Sequence, residues 1–359
     1  MRIVFCGGGT GGHITPALAM ADILRQNEKN VDFSFIGRRG GKENEAVRAT
    51  GIKLYELEVV GLKRSLSLSN VSALFCALKA RGEAKRLLKD LRPDAVIGTG
   101  GYVSWPVLSA AHSLGVRCAI HESNAYPGFV TRNLASKCEL IMLGYQEAAE
   151  HLGTTKNVKV TGNPVRSRVG KIGRVEARRE LGIPLEARVV LSFGGSLGAQ
   201  KINEVMREVM ETGGCNCFFI HATGRREFQG YGLKSNTGRL ILPYIEDMPT
   251  YLAAADVAIT RCGAMTLAEL CTAGVPSILI PSPNVTDNHQ YKNAKALAES
   301  GAAVLIEERE LTGNRLSAQI NNLLDNGTRR QQMHYRLCSR ARGTGGRILL
   351  AIRELVKEK

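Results

Sequence analysis

The chain has 359 residues, of which 44% are hydrophobic and 5% aromatic, and its formal net charge is +15 at pH 7. Its apolar runs fall short of the roughly 18 residues that a membrane span needs, and the apolar stretch at its N-terminus is too short for an export signal. The nine cysteines are scattered and have no zinc-ligand spacing, which indicates a reduced cytoplasmic protein. The charge predicts an anionic partner, and without a nucleic-acid-binding motif this favours a phosphorylated small molecule or an anionic lipid surface over nucleic acid.

Short apolar runs alternate with helical stretches along the chain. The first group of predicted strands covers 3–6, 33–37, 55–60, 95–100, 118–122 and 140–143. A turn-rich, basic stretch at 161–174 interrupts the pattern. The second group covers 189–195, 217–223, 240–245, 257–260, 277–281 and 303–308. This alternation of helices with near-continuous apolar strands predicts an α/β protein with doubly wound parallel sheets.

The interruption predicts two Rossmann-like domains. We expect residues 1–163 to form the first and 164–342 the second, with an amphipathic helix over about 343–359 packing back on the first. Open sheets of this type bind ligands at the carboxyl ends of their strands, so a cleft between the two domains is the expected site.

The first predicted strand runs into CGGGTGGH, which contains Gly7-x-Gly9-x-x-Gly12, the spacing of a dinucleotide fingerprint. That fingerprint also needs an acidic residue at the end of the second strand, where this chain has Arg38 and Arg39. The arginines leave an NADP-dependent enzyme open. A turn that needs glycine only for its backbone geometry is the other interpretation.

The second domain opens on FGGSLGAQ, in which Gly194-x-Ser196-x-Gly198 has the form of a nucleophile elbow. A hydrolase would also need an acid and a histidine, for which Asp256 and His289 are available, although no HGGG oxyanion loop occurs. The alternative is that the Ser196 hydroxyl and successive backbone N–H groups at a helix N-terminus hold a phosphate.

Two further turns repeat the strand–glycine–helix pattern, TGGYVSWP at 99–106 and TRCGAMTLAEL at 260–270. Four such helix N-termini predict a site for diphosphate groups. No DxD pair occurs in the chain, so we expect backbone donors and helix dipoles, and no metal ion or other cofactor, to hold the diphosphate.

Eight motifs, in order over nearly the whole chain, resemble those of the MurG family of N-acetylglucosaminyltransferases in glycosyltransferase family 28. They are GGGTGGHITPALA, GTGGYVSWP, HESNAYPG, TGNPVR, FGGSLGAQKIN, YIEDM, TRCGAMTLAEL and DNHQYKNA. The resemblance implies a GT-B fold and an inverting, metal-independent enzyme that forms lipid II for peptidoglycan. Its implied partners are UDP-GlcNAc, undecaprenyl-linked lipid I, the anionic cytoplasmic face of the membrane, where it would be peripheral, and other cell-wall synthesis proteins.

The resemblance also implies that UDP-GlcNAc binds mainly to the second domain. Ser196 and Arg166 would lie near the diphosphate, Ile245 would receive the uracil through its backbone, and Gln290 would bind the sugar. Glu269 would accept both ribose hydroxyls. The helix N-terminal segment that would direct its N–H groups at phosphate consists of Ala264, Met265, Thr266, Leu267, Ala268 and Glu269.

From the first domain, Asn124 and the turn Thr10-Gly11-Gly12 are expected to reach the donor sugar. His289 stands where some family members have a second glutamine, so its contact with the donor is open. The acceptor pyrophosphate would be held by the glycine turns at 10–12 and 99–102, and its predicted ligands are Gly9, Thr10, Gly11, Gly100, Gly101 and Tyr102.

Inverting glycosyl transfer needs a base for the acceptor hydroxyl. His13 directly follows the glycine turn at a helix N-terminus, where the positive end of the helix dipole favours the neutral imidazole. We therefore predict that His13 is the general base toward the muramoyl 4-hydroxyl. Glu122 and His121 are the other candidates, and a purely structural helix-capping role for His13 is the alternative.

A helical stretch at about 71–91 carries one line of side chains that changes from apolar to basic. This line is Leu74, Leu78, Arg81, Lys85 and Lys89, and with Val71 and Phe75 beside it, it predicts a patch that enters lipid and meets anionic headgroups. Packing of the apolar part against a neighbouring helix is the alternative.

Three other classes of function stay open at this point: a UDP-sugar epimerase of the same fold, an NADP oxidoreductase and a non-catalytic sugar-nucleotide sensor. A glycosyltransferase of GT-B fold that acts on another acceptor is a fourth possibility.

Overall fold

The structure is a computed structural model that describes residues 1–9, 11–41, 44–60, 68–153, 156–195 and 197–357, with the side chains of 68–72 and 74 not described. Thr10 and Ser196, two of the predicted site residues, therefore lie outside the described residues. The chain divides into two compact units: unit 1 is Met1–Ser167 with Gly343–Lys359, and unit 2 is Arg168–Arg342. From the sequence we placed the division after residue 163.

Unit 1 is built on a parallel sheet. Its strands are β1 (Arg2–Cys6), β2 (Asp32–Arg38), β3 (Lys53–Leu57), β4 (Ala95–Gly98), β5 (Arg117–Glu122), β6 (Leu140–Leu143) and β7 (Val158–Val160). They are paired in the order β3-β2-β1-β4-β5-β6-β7. The helices are α1 (Gly11–Asn27), α2 (Asn44–Arg48), α3 (Leu68–Leu91), α4 (Ser104–Ser113), α5 (Phe129–Leu134) and, from the chain end, α13 (Thr344–Lys357).

Both faces of this sheet are covered, because alternate residues of each central strand enter different cores. Phe5 of β1 packs with Leu24 of α1 and Ile352 of α13, whereas its neighbour Val4 belongs to the core that contains Leu88 of α3. A strand buried on both faces reads as a continuous apolar run, which is why β1 was predicted from the sequence.

Unit 2 has a second parallel sheet. Its strands are β8 (Val189–Phe193), β9 (Phe218–Ala222), β10 (Arg239–Leu242), β11 (Val257–Thr260), β12 (Ser277–Leu279) and β13 (Ala303–Leu305). The order is β10-β9-β8-β11-β12-β13. The helices are α6 (Arg174–Glu180), α7 (Gln200–Thr212), α8 (Met248–Ala254), α9 (Ala264–Ala273), α10 (His289–Glu299), α11 (Gly313–Asp325) and α12 (Gly327–Ala341).

The predicted doubly wound parallel architecture is confirmed for both units. Several predicted strands extend beyond the observed ones, and two differences in unit 1 are larger. The strand expected at 55–60 is β3, Lys53–Leu57, and β7 was not predicted at all. Strand β7 has three residues, lies at the sheet edge and has two exposed side chains, so it lacks the apolar run on which the prediction depended.

Candidate active site

The glycine turns that follow β1 and β4 interlock at the carboxyl edge of the unit 1 sheet. A β-carbon on Gly7 would overlap the Thr99 hydroxyl, and one on Gly101, where φ is +80°, would overlap the Gly8 carbonyl oxygen. The hydroxyl of Thr99 in turn donates to the carbonyl oxygen of His13. These glycines are therefore required because each turn occupies the space that a side chain of the other would need.

His13 lies in the first turn of α1 and is half-buried against this pair of turns. Its Nδ1 lies 2.9 Å from the carbonyl oxygen of Gly8, a group that can only accept a hydrogen bond, so Nδ1 carries the proton. In the neutral imidazole, Nε2 then holds the lone pair. A β-carbon on Gly100 would lie 3.1 Å from this Nε2 atom, which places the basic nitrogen of His13 beside the predicted acceptor turn.

Glu122, the second candidate for the base, is buried at the end of β5, and both of its carboxylate oxygens accept two hydrogen bonds. Oε1 accepts from the backbone N–H (3.0 Å) and side-chain amide (3.2 Å) of Asn124. Oε2 accepts from Gly128 N–H (2.9 Å) and from the hydroxyl of Thr131 (2.7 Å). A carboxylate with four donors organises the 123–128 loop and positions Asn124, and this arrangement favours His13 as the base.

His121, the third candidate for the base, is fully buried in β5. Burial lowers the pKa of its imidazole to about 4, and Nε2 lies 3.3 Å from the carbonyl oxygen of Gly162. Its ring therefore belongs to the interior of unit 1, where an acceptor hydroxyl has no access.

The remaining predicted residues of unit 1 lie near these turns or in the segment that leads out of the unit. Gly9 has a φ of +91°, Gly11 and Gly12 are exposed at the start of α1, and Tyr102 is 47% exposed. Arg166 is half-buried close to the end of the unit 1 segment.

Unit 2 repeats the interlocking of two turns at the carboxyl edge of its own sheet. The glycine turn 194–198 follows β8, and the residues Thr223 and Gly224 follow β9. A β-carbon on Gly198 would overlap the Thr223 carbonyl oxygen, and one on Gly224 would overlap the backbone nitrogen of Gly198. The turn expected to hold the donor phosphates therefore lies in backbone contact with its neighbour.

Gln290 joins two further loops at the same edge. Its Oε1 accepts from the backbone N–H groups of Cys262 (3.2 Å), after β11, and Ser282 (2.9 Å), after β12. The Cys262 loop leads into α9, whose N-cap is Gly263. Gln290, which is predicted to bind the donor sugar, thus also fixes the loop that leads into α9, the predicted phosphate-binding helix.

The other predicted donor residues lie in the same part of unit 2. Ala264–Glu269 form the first turns of α9, where Glu269 is 8% exposed, and Ile245 is buried in the segment after β10. His289 begins α10, and its Nδ1–H donates to the carbonyl oxygen of Thr286 at 2.7 Å.

The hydrolase interpretation is wrong, because Asp256 lies at the opposite edge of the sheet. It precedes β11, whereas Ser196 follows β8 and the two strands are parallel. Its carboxylate is paired with Arg174 (2.7 Å) and with the buried Arg178 (2.9 Å). Asp256 is therefore a structural ion-pair residue and cannot orient a catalytic histidine.

Helix α3 exposes part of the predicted lipid patch. Phe75 is 69% exposed and Leu78 is 49% exposed, Arg81 and Lys85 are half-buried, and Lys89 is exposed. The side chains of Val71 and Leu74 lie outside the described residues. None of the described helices combines the length and apolar character that crossing a membrane requires.

The chain matches two family models, the glycosyltransferase family 28 N-terminal domain over residues 3–143 and the C-terminal domain over residues 189–342. Two relatives are each named UDP-N-acetylglucosamine--N-acetylmuramyl-(pentapeptide) pyrophosphoryl-undecaprenol N-acetylglucosamine transferase. The protein from Thermoanaerobacter sp. (strain X514) is 40% identical, with 91% of this chain and 92% of the relative covered. The one from Desulforudis audaxviator is 42% identical, with 89% of each covered.

Solved structures show the same architecture. The crystal structure of Acinetobacter baumannii MurG superimposes with a TM-score of 0.76 at 29% identity, covering 98% of this chain and 99% of that one. The crystal structure of the glycotransferase of kitacinnamycin gives a TM-score of 0.75 at 17% identity, covering 99% of each chain. The second likeness shows the shared fold alone.

Proposed function

Because the chain belongs to glycosyltransferase family 28 and has the two Rossmann-like domains of the GT-B fold, we propose that it transfers N-acetylglucosamine from UDP-N-acetylglucosamine to the muramoyl 4-hydroxyl of lipid I, with inversion. The product is lipid II, the disaccharide precursor of peptidoglycan. The names of the relatives at about 40% identity support this choice of donor and acceptor over the epimerase, oxidoreductase and sensor interpretations.

The observation that carries the mechanism is the hydrogen bond from His13 to Gly8, which leaves Nε2 as the proton acceptor. The muramoyl 4-hydroxyl attacks the anomeric carbon of the donor sugar, and the bond from that carbon to the diphosphate oxygen breaks. The hydroxyl proton passes to Nε2, and UDP leaves with the bonding electron pair. General-base assistance of this type contributes roughly 10²- to 10⁴-fold to the rate.

The leaving diphosphate needs stabilisation as its negative charge grows. In unit 2, the N-termini of α9 and α7 supply backbone N–H donors and the positive ends of two helix dipoles. We assign uracil to the backbone of Ile245 and the ribose hydroxyls to Glu269. Transfer without a metal ion is part of the proposal.

The acceptor is a lipid, so the enzyme must work at a membrane surface. We assign this contact to α3, where the exposed side chains of Phe75 and Leu78 enter the acyl region and Arg81, Lys85 and Lys89 meet anionic headgroups. We assign the acceptor pyrophosphate to Gly9–Gly11 and Gly100–Tyr102. Peripheral attachment to the cytoplasmic face of the membrane follows from these assignments.

The test is incubation of the purified chain with radiolabelled UDP-N-acetylglucosamine and a lipid I analogue, with and without EDTA. We expect labelled disaccharide product in both samples. Conversion of the donor to another sugar nucleotide without acceptor would favour the epimerase, and binding of UDP-N-acetylglucosamine without turnover would favour the sensor. Product formation that EDTA abolishes would overturn the metal-independent part of the proposal.

A further inference from the structure

Asn203 is a buried residue of α7 that sequence analysis did not select. It lies in the first turn of the helix, and its backbone N–H donates to the carbonyl oxygen of Ala199 at 2.9 Å. Ala199 directly follows the glycine turn 194–198, which is called the donor turn below because it is expected to hold the phosphates of the sugar donor. The side chain of Asn203 is only 2% exposed. Burial of an amide is costly unless its polar atoms are hydrogen-bonded; Oδ1 of Asn203 has no hydrogen-bond partner among the described residues, so the partners of Nδ2 indicate what the residue does.

The side-chain amide of Asn203 uses both of its hydrogens. Nδ2 donates to the carbonyl oxygen of Thr223 at 2.8 Å and to Oε2 of Glu227 at 2.6 Å. Both partners can only accept, which fixes the orientation of the amide. The backbone carbonyl of Asn203 also accepts a bond from the hydroxyl of Tyr231 at 3.2 Å, so this residue joins α7 to the segment 223–231.

The carbonyl oxygen that Asn203 holds is the one that packs on the donor turn. A β-carbon on Gly198 would overlap this Thr223 oxygen, and both Gly198 (φ +82°) and Gly224 (φ +88°) have backbone conformations that favour glycine. The donor turn therefore rests on a carbonyl group whose own position is set by the Asn203 amide.

We propose that Asn203 is a positioning residue for the donor diphosphate: its amide sets the Thr223 carbonyl, which packs on Gly198 and so fixes the backbone of Gly198 at the end of the predicted phosphate-binding turn. The inference rests on the proposed function, because it takes the diphosphate of UDP-N-acetylglucosamine as the ligand of that turn. Asn203 itself does not contact the substrate in this assignment.

The substitution Asn203→Asp tests the inference, because it keeps the shape of the side chain and replaces both donors with an acceptor facing two acceptors. We expect the Kd for UDP, measured by titration calorimetry, and the KM for UDP-N-acetylglucosamine to rise about ten-fold or more. The KM for the lipid I analogue should stay within about two-fold. Asn203→Ala, which removes the donors without repulsion, should weaken UDP binding in the same direction.

A matched control is Asn321→Asp in α11, because Asn321 also donates its amide to a backbone carbonyl of unit 2, that of Gly214, at 2.9 Å. It should leave the Kd for UDP unchanged. UDP binding within about two-fold of wild type in both Asn203 variants would overturn the inference, even with a lower kcat, because misfolding removes active enzyme without raising KM. Equal weakening by Asn321→Asp would also overturn it.

The proposed function fails separately from this inference. A wild-type chain that binds UDP but transfers no sugar to the acceptor would overturn the proposed function, whereas the calorimetric comparison of Asn203 variants would still decide the positioning role. A wild-type chain that does not bind UDP would overturn both.

Discussion

The imidazole of His13 lies against the α-carbon of Gly100, and a β-carbon at residue 100 would come within 2.6 Å of His13 Cδ2. The two residues belong to turns that follow neighbouring parallel strands, β1 and β4. The glycine at position 100 is therefore required by the ring as well as by its own φ of +108°. This contact, together with the bond to Gly8, fixes the candidate base on two sides.

Gly100→Ala should lower kcat because the added methyl group displaces the His13 ring from its place beside the acceptor turn. We expect a loss of about 10- to 100-fold in kcat, with the KM for UDP-N-acetylglucosamine within about two-fold of wild type. Gly115→Ala is the matched control, since Gly115 also has a positive φ (+67°) but no atom within 4 Å of its added β-carbon. Equal kcat values for the two variants would contradict the role of the His13 contact.

His13→Ala and His13→Gln should both lose about 10²- to 10⁴-fold in kcat, because neither side chain can accept the proton from the muramoyl hydroxyl. Glutamine keeps hydrogen-bonding capacity, so it separates proton transfer from simple positioning. The measurement is steady-state transfer to the lipid I analogue, with UDP affinity checked by calorimetry. Near-normal turnover of both variants would rule out the base role, and strong turnover of His13→Gln alone would assign His13 to orientation.

Glu122→Gln should reduce activity by weakening the loop that holds Asn124, not by removing a base. The neutral amide cannot accept all four of the observed bonds, so we expect stability to fall by about 1–3 kcal/mol and kcat by about ten-fold. The decisive measurement is the pH dependence of kcat. A positioning role leaves the acidic limb of the profile at its wild-type pH, whereas loss of that limb would identify Glu122 as the base.

The succession of strands, glycine turns and helices along the chain could be predicted from the sequence, but the contacts between the turns could not. Strands such as β1 are continuous apolar runs because both faces are covered, and glycine turns follow them because the next helix must start at once. The bond of His13 to Gly8 uses a backbone carbonyl, which has no sequence signal. The contact between His13 and Gly100 joins positions 87 residues apart in sequence, so its prediction requires the order of the strands in the sheet.

Some of the basic residues of the chain are used inside unit 2. Three arginines of α12 donate to backbone carbonyls at or just beyond the C-terminal ends of α10 and α11, where the helix dipole is negative. The donors are Arg330, Arg336 and Arg340. Part of the net charge of +15 therefore stabilises unit 2 itself and is not a measure of affinity for an anionic partner.

Replacing Phe75 and Leu78 by serine should weaken binding to vesicles, because these exposed side chains of α3 supply the apolar part of the proposed lipid contact. We expect at least about a ten-fold loss of affinity for vesicles that contain phosphatidylglycerol, measured by co-sedimentation. Leu185→Ser, at a side chain that is 40% exposed in unit 2, is the control and should bind as wild type. Unchanged binding of the double variant would place the lipid contact elsewhere.

Two buried histidines should make the protein less stable in acid. Burial lowers the pKa of His121 to about 4 and that of His221 to about 3, from 6.5. Since the unfolded chain takes up these protons first, the stabilisation is complete above pH 6.5 and is lost as the pH falls toward the folded-state values. Each histidine changes the free energy of unfolding by at most about 1.4 kcal/mol per pH unit in that window.

His221 offers a direct test of this linkage, because its Nδ1 lies 2.6 Å from the hydroxyl of Ser192 inside unit 2. The double variant Ser192→Ala/His221→Phe removes both polar partners, keeps an aromatic ring beside Tyr231, and cannot titrate. We expect urea unfolding between pH 6.5 and 4.5 to show a shallower loss of stability than wild type, by up to about 1.4 kcal/mol per pH unit. Identical pH slopes would contradict a buried neutral His221, because a histidine that titrates normally in the folded state contributes no slope.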